Sequence, residues 1–272
     1  MSIQKHLDKL RAAPGRVFQH ALVRPPSPNF ARGLTTVELG TPDVALALTQ
    51  HREYCSALER CGVRVVSLPV DADHPDSTFV EDTAVILEGG VVVTRPGAPS
   101  RQQETLAIRP HLPTHLGPLL DIEAPGTLDG GDVCITGRHV LIGLSHRTNE
   151  AGAEQLAAHA RALGYTSATV DIREVPGILH LKSGLGEVGP ERLVAWSVLA
   201  QHPAIRVFDV VTVPDGESYA ANCLRVNDHV LLPHGSFKLR ARLLERGYRV
   251  LTLDMTEFQK MDGGLTCLSL RW

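Results

Sequence analysis

Four short stretches hold the residue types of a nucleophilic hydrolase: Phe79-Val80-Glu81-Asp82, Leu128-Asp129-Gly130-Gly131-Asp132, His180-Leu181-Lys182-Ser183 and Asp262-Gly263-Gly264-Leu265-Thr266-Cys267. A cysteine thiolate attacks an electrophilic carbon, and a histidine carries protons to the leaving group and later from water. The carboxylates need a separate explanation. Negative charge beside a thiol raises its pKa and opposes thiolate formation. A cationic substrate removes that conflict: a guanidinium held by Glu81, Asp82 and Asp129 brings positive charge to Cys267. Its planar donor fork also matches carboxylate oxygens.

Each residue has a plainer reading beside that one. Cys267 lies in an apolar stretch, where a free cysteine is often a small buried hydrophobe. Asp129 and Asp132 around two glycines, or Asp262 before two more, can simply form tight turns. Glu81 and Asp82 can be strand-end charges facing water. Of the other cysteines, Cys55 and Cys61 flank a helix end and Cys134 and Cys223 sit inside strands; all four read as packing residues. Among 13 histidines, His180 stands out because it opens a repeat where the others carry acids. His111 and His115 have metal-like spacing, but Pro113 between them spoils a helix, so no metal site and no cofactor is expected.

The totals narrow the class. The chain has 272 residues, 43% hydrophobic and 21% charged, the composition of a globular protein with a sizeable core. A net charge of −3 without basic runs argues against a nucleic-acid partner. Met1 to Arg16 is polar and lacks an apolar leader core. No apolar run approaches the roughly 20 residues of a membrane helix. Five cysteines without a C-x-x-C pattern fit neither a disulfide framework nor a zinc motif, and point to reduced thiols in a cytoplasm.

Positioning such scattered residues together requires a repeat, and a weak one is present. Five segments share a layout of strand, polar turn, second strand, helix and often a closing strand, spaced about 40–50 residues apart. The first strands read as Thr83 to Leu87, Val133 to Thr136, Leu181 to Glu187, Asn222 to Val226 and Leu265 to Leu270. Second strands follow at Val91 to Thr94, His139 to Ile142, Leu193 to Trp196 and His229 to Leu232, as short apolar runs bounded by turns. Helices Asp43 to Arg60, Asn149 to Leu163 and Phe237 to Arg246 each stop at a glycine, the first opening after a Thr41-Pro42 cap. The last segment is incomplete, and the N-terminal strand Val17 to Val23 with the first helix supplies its missing parts. Joining the termini closes a ring and removes an exposed edge. The fold class is then α/β, a fivefold pseudo-symmetric propeller of ββαβ units, in one domain spanning residues 1–272. An ordinary open α/β sheet is the alternative. In a radial array, equivalent positions point to one axis, so the acids, His180 and Cys267 converge.

At these residues the sequence resembles dimethylarginine dimethylaminohydrolases, of the guanidino-modifying (pentein) superfamily. The likeness runs from about His20 to Trp272. Its strongest stretches are Pro75 to Asp82, Thr94 to Arg101, Thr127 to Asp132, Gly143 to Asn149, Leu179 to Ser183, Tyr219 to Cys223 and Asp262 to Arg271. The resemblance implies a fivefold α/β propeller and hydrolysis of methylated arginines to citrulline and an amine. It implies Cys267 as nucleophile, His180 as proton carrier, and Asp82 and Asp129 gripping the guanidinium with Glu81 beside them. Arg101 and Arg147 then bind the substrate α-carboxylate. Asp76 and the backbone near Leu34 and Met261 hold the α-amino end, with Gly33 to Thr36 as a flap. Asp129 stands where some relatives carry glutamate, and Met261 where aliphatic residues are common. The expected partner is a small molecule, with no nucleic acid and no membrane, and with room for a homodimer. An arginine deiminase is the neighbouring alternative and a non-catalytic propeller the non-enzyme one.

Overall fold

The computed structural model describes residues 15–272, so most of the polar Met1 to Arg16 segment lies outside the described residues. Among the described residues, fifteen strands form five sheets of three. One contains β1 (His20–Val23), β2 (Arg64–Ser67) and β15 (Leu270–Arg271). The others are β3 (Ala84–Leu87) with β4 (Gly90–Val93) and β5 (Leu119–Asp121), and β6 (Val133–Thr136) with β7 (His139–Leu144) and β8 (Thr166–Asp171). The last two are β9 (Leu185–Gly189) with β10 (Arg192–Ala195) and β11 (Asp209–Thr212), and β12 (Leu224–Val226) with β13 (His229–Pro233) and β14 (Arg249–Leu253). In every sheet the middle strand is antiparallel to one neighbour and parallel to the other.

A parallel pair needs a crossover, usually helical. Helices α1 (Val44–Arg60), α2 (Glu104–Ile108), α3 (Glu150–Ala162), α4 (Ser197–Ala200) and α5 (Phe237–Glu245) each connect a middle strand to its parallel partner. This is the ββαβ unit, five times over, and the architecture is an α/β propeller. The middle strands are buried runs such as Gly90–Val93, whereas β2 is largely exposed, which is why the inner strands read as continuous apolar stretches.

Five apolar clusters hold the blades together, one between each pair of neighbouring sheets. Leu22 and Leu270 pack with Ile86 and Val91, Leu87 and Val92 with Ile142, and Leu141 with Leu185 and Leu193. Val188 and Val194 pack with Val230 and Leu232, and Leu231 with Ala21 and Val23 closes the circle. The ring is sealed by the two chain ends, since β15 pairs with β1 through Ala21 opposite Arg271 and Leu22 opposite Leu270. The backbone N–H groups of Gln19 and His20 also donate to the Trp272 carbonyl at 2.7 and 2.8 Å.

Strand β6 begins at Val133 as its sequence suggests, but the other four first strands begin later. Val80–Thr83, Gly130–Asp132, Leu181–Ser183 and Ser218–Ala221 are single 3-10 turns at the heads of β3, β6, β9 and β12. Thr83 Oγ1 donates to the Val80 carbonyl at 2.7 Å, and His180 N donates to Ser183 Oγ at 3.3 Å. Such local side-chain bonds compete with the sheet ladder. The expected strand from Leu265 is likewise a turn, with Cys267 N donating to the Gly264 carbonyl at 3.2 Å, and the strand itself is only Leu270–Arg271. Helix α1 is capped by Asp43 rather than Thr41: the Asp43 carboxylate accepts the N–H groups of Ala45 and Leu46.

The turns of neighbouring blades pack without room for a side chain. A β-carbon on Gly130 would lie 2.0 Å from the Glu81 carbonyl oxygen. Gly130→Ala is therefore expected to destabilise the protein by about 2–4 kcal/mol and to displace the neighbouring Asp129. Urea unfolding, read beside activity, measures both effects.

Candidate active site

The 3-10 turns carry the reactive side chains to one end of the axis. Asp82 ends up buried between the second and third sheets, where Oδ1 accepts Gly131 N at 2.9 Å and Oδ2 takes Arg101 Nη1. Asp129 is fully buried; Oδ2 lies 2.9 Å from His180 Nε2 and Oδ1 accepts Gly97 N at 2.8 Å. One ligand-type atom from each of Asp82, Asp129 and His180 lies within 4.8 Å of the others. The trio expected from separate repeats is assembled. Gly131 makes the approach feasible, since a β-carbon there would sit 2.8 Å from both His180 Nδ1 and Asp82 Oδ1.

Electrostatics at the trio follow from that crowding. Burial alone would lower the His180 pKa, but Asp82, Asp132 and Asp129 outweigh it and raise it to about 9, so the imidazole is protonated at neutral pH. Burial would raise Asp82, but His180 and Arg101 hold it at about 2. The same three donors have a spacing that could hold a metal ion, yet a cation there must displace the His180 proton and compete with Arg101 for Asp82.

Cys267 is half-buried and its Sγ accepts Gly264 N at 3.4 Å. Burial pushes the thiol up to about 12, and the facing Glu81 and Asp82 carboxylates push the same way, against the Gly264 N–H and Lys182. Asp82 thus faces both the thiol and His180. A cleft of about 250 Å³ adjoins both segments, lined by Leu179 and Ser183 on the His180 side and Gly263 and Gly264 on the Cys267 side.

The remaining expected residues divide. Asp76 is buried and its carboxylate accepts Leu34 N at 3.0 and 3.2 Å, while Gly33 and the buried Met261 side chain lie close by. Asp76, Leu34 and Met261 are therefore brought together. The flap continues to Asp262, whose carboxylate accepts Thr36 N at 2.5 Å. Arg147 is half-buried, and among the described residues its guanidinium has no carboxylate partner.

Arg101 and Glu81 are engaged elsewhere. Arg101 is 4% exposed and gives Nε and Nη2 to Glu104, Nη2 also to the Phe79 carbonyl, and Nη1 to Asp82. Glu81 is not brought to the Asp82–Asp129–His180 trio. Its carboxylate pairs with Lys182 Nζ at 2.6 Å, accepts Thr266 Oγ1 at 2.7 Å, and lines a separate axial cavity of about 630 Å³.

Sequence reasoning passed over the residues that hold these groups. Glu104 follows Arg101 at i,i+3, a spacing that marks a pair on one helical face. Asn222 fixes the turn before Cys267, accepting Thr266 N at 3.0 Å and donating to the Lys182 carbonyl at 2.9 Å. That contact spans 40 and 44 residues, and no local pattern announces it.

Similar proteins place the chain in a family. The sequence profile of the arginine deiminase family matches residues 70–173. N(G),N(G)-dimethylarginine dimethylaminohydrolase of Pseudomonas aeruginosa is 40% identical, covering 94% of this chain and 100% of its own. The enzyme of the same name from Streptomyces coelicolor is 36% identical over 92% and 96%. A structure of the P. aeruginosa protein, a Cys-to-Ser variant complexed with citrulline, superposes with a TM-score of 0.90 at 39% identity, over 94% of this chain and 100% of that one. The N-terminal domain of a cyanobacterial arginine dihydrolase shares the fold, with a TM-score of 0.79 at 18% identity over 94% and 97%. By its full-length likeness to these relatives, the chain belongs to the dimethylarginine dimethylaminohydrolase family.

Proposed function

We infer that the protein hydrolyses Nω-methylated arginines to citrulline and dimethylamine or methylamine. The observation that carries this reading is the geometry of the site: a half-buried thiol and a buried imidazole beside the buried carboxylates of Asp82 and Asp129. Such a site is short of positive charge at the thiol, and a substrate guanidinium supplies it. Held by Asp82 and Asp129, the cation lowers the Cys267 pKa and the thiol proton leaves to solvent. The thiolate attacks the central guanidinium carbon. As the C–N bond to the methylated nitrogen breaks, His180 transfers its proton to that nitrogen and the neutral amine departs. The product of this half is a thiouronium cation on Cys267. Neutral His180, held by Asp129, then takes a proton from water as its oxygen adds to the same carbon. Loss of the thiolate, with the proton of the new hydroxyl passing to solvent, leaves the neutral urea group of citrulline. A relative of this family has been seen with citrulline bound.

The amino-acid end of the substrate is read by the rest of the cleft. Arg147 binds the α-carboxylate with its unpaired guanidinium, and Arg101 adds its remaining Nη1 hydrogen while positioning Asp82. Asp76 takes the α-amino group, with the Leu34 and Met261 carbonyls at the flap. Glu81 acts from behind, through its charge on Cys267 and its bond to Thr266. No cofactor takes part in these steps. Residues 1–272 work as one catalytic domain, in the cytoplasm, with a homodimer as the candidate assembly.

Incubation with asymmetric dimethylarginine should release citrulline, and Cys267→Ala should lower kcat by about 10³-fold or more; turnover of arginine but not of the methylated substrate would overturn the reading. The raised thiol pKa gives a second expectation. In the substrate-free protein, iodoacetamide labelling of Cys267, followed by peptide mass spectrometry, should rise steadily from pH 7 to 10 without a plateau. Removing one negative charge with Asp82→Asn favours the thiolate, so labelling at pH 8 should become faster although turnover falls.

A further inference from the structure

Asp132 is fully buried, and neither the substrate nor the reacting groups account for it. Its Oδ1 accepts the N–H of Leu181, the residue after His180, at 2.9 Å. Its Oδ2 accepts the hydroxyls of Ser145 at 2.6 Å and Thr148 at 2.7 Å. Each hydroxyl has one hydrogen, and Asp132 receives both. Their lone pairs therefore face the other way. Ser145 Oγ accepts Arg147 N at 3.0 Å and Thr148 N at 3.1 Å, and Thr148 Oγ1 accepts Asp129 N at 3.1 Å.

We propose that Asp132 is a positioning residue for this reaction, a single buried carboxylate that sets the direction of a hydrogen-bond network locating His180, Asp129 and Arg147 together. One arm, through Leu181, holds the backbone of the proton carrier. The second, through Thr148, holds the acid partner of that histidine. The third, through Ser145, holds the turn that presents Arg147 to the substrate carboxylate. The inference rests on the methylarginine reading above, since it uses the roles given there to those three residues. The arms are separable, which distinguishes positioning from mere support. A structural prop would, when cut, lower stability and leave the kinetic constants of the folded fraction alike.

The direction of these hydrogen bonds makes Asp132→Asn informative. The amide oxygen can still accept Leu181 N–H, but the amide nitrogen only donates, and at Ser145 Oγ it meets an oxygen whose two lone pairs already receive backbone N–H groups. The substitution also removes one of the three charges facing His180, the others being Asp82 and Asp129. They raise its pKa against the opposing effect of burial, to about 9. With Asp132 neutral, the imidazolium loses support and gives up its proton at lower pH.

The test is steady-state kinetics on asymmetric dimethylarginine for wild type, Ser145→Ala, Thr148→Ala and Asp132→Asn, each with its unfolding midpoint. Losing one arm should cost about 10-fold. For Ser145→Ala that loss should fall on KM, with kcat within about 3-fold of wild type; for Thr148→Ala it should fall on kcat, with KM little changed. Asp132→Asn should lower kcat by about 100-fold and move the alkaline limb of kcat/KM to lower pH. The proposal is overturned if both alanine variants change kcat and KM alike, if neither changes them beyond 2-fold, or if Asp132→Asn keeps the wild-type alkaline limb. Should Asp132→Asn fail to fold, the two alanine variants decide alone. Absence of turnover by wild type would remove the methylarginine reading itself, and this inference with it, a result that no variant effect imitates.

Discussion

Carboxylates crowded out of water at the head of the axis are what the rest of the site must accommodate. Glu81, Asp82, Glu104, Asp129 and Asp132 are each at most 4% exposed. An unpaired buried charge costs several kcal/mol, so every neighbour serves to compensate. Arg101 sits between Asp82 and Glu104, Lys182 meets Glu81, and His180 keeps its proton to face Asp82, Asp129 and Asp132. Backbone N–H groups and hydroxyls fill the remaining acceptor sites. Five acids against four cations, Arg271 being the fourth at 3.6 Å from Glu81, leave one negative charge uncompensated, which a cationic substrate would balance. The same excess favours the thiol form of Cys267, which on the proposed mechanism ties its activation to substrate binding.

The propeller makes this crowding achievable. Each sheet buries both faces of its middle strand and wedges apolar side chains against the next sheet, so five nearly independent cores support one axis. The polar work is confined to the short turns at the strand heads. There a 3-10 turn aims a side chain inward without spending a sheet hydrogen bond, and glycines at 130 and 131 let adjacent turns touch. Glu81 and Asp82 show how the arrangement divides consecutive residues of one turn: Asp82 meets Arg101 and the His180 side, whereas Glu81 lines the axial cavity with Lys182.

The repeated ββαβ layout, the closure of the ring by its termini and the acids, His180 and Cys267 at equivalent positions were all legible in the amino-acid order, because apolar runs, turn residues and helix caps are local signals. Family likeness then named Arg101, Arg147, Asp76, Leu34 and Met261. Strand starts were misplaced where Thr83 and Ser183 bond to their own turns, since that competition between side chain and ladder depends on the folded backbone. The partners of Arg101 and Glu81 were not foreseeable: Asp82 lies 19 residues from Arg101, and Thr266 lies 185 from Glu81. By itself, then, the sequence determined which residue types occupy which turn of which repeat. Only the tertiary structure decided which charge each one faces, because pKa and hydrogen-bond direction are set by burial and by neighbours brought from other blades.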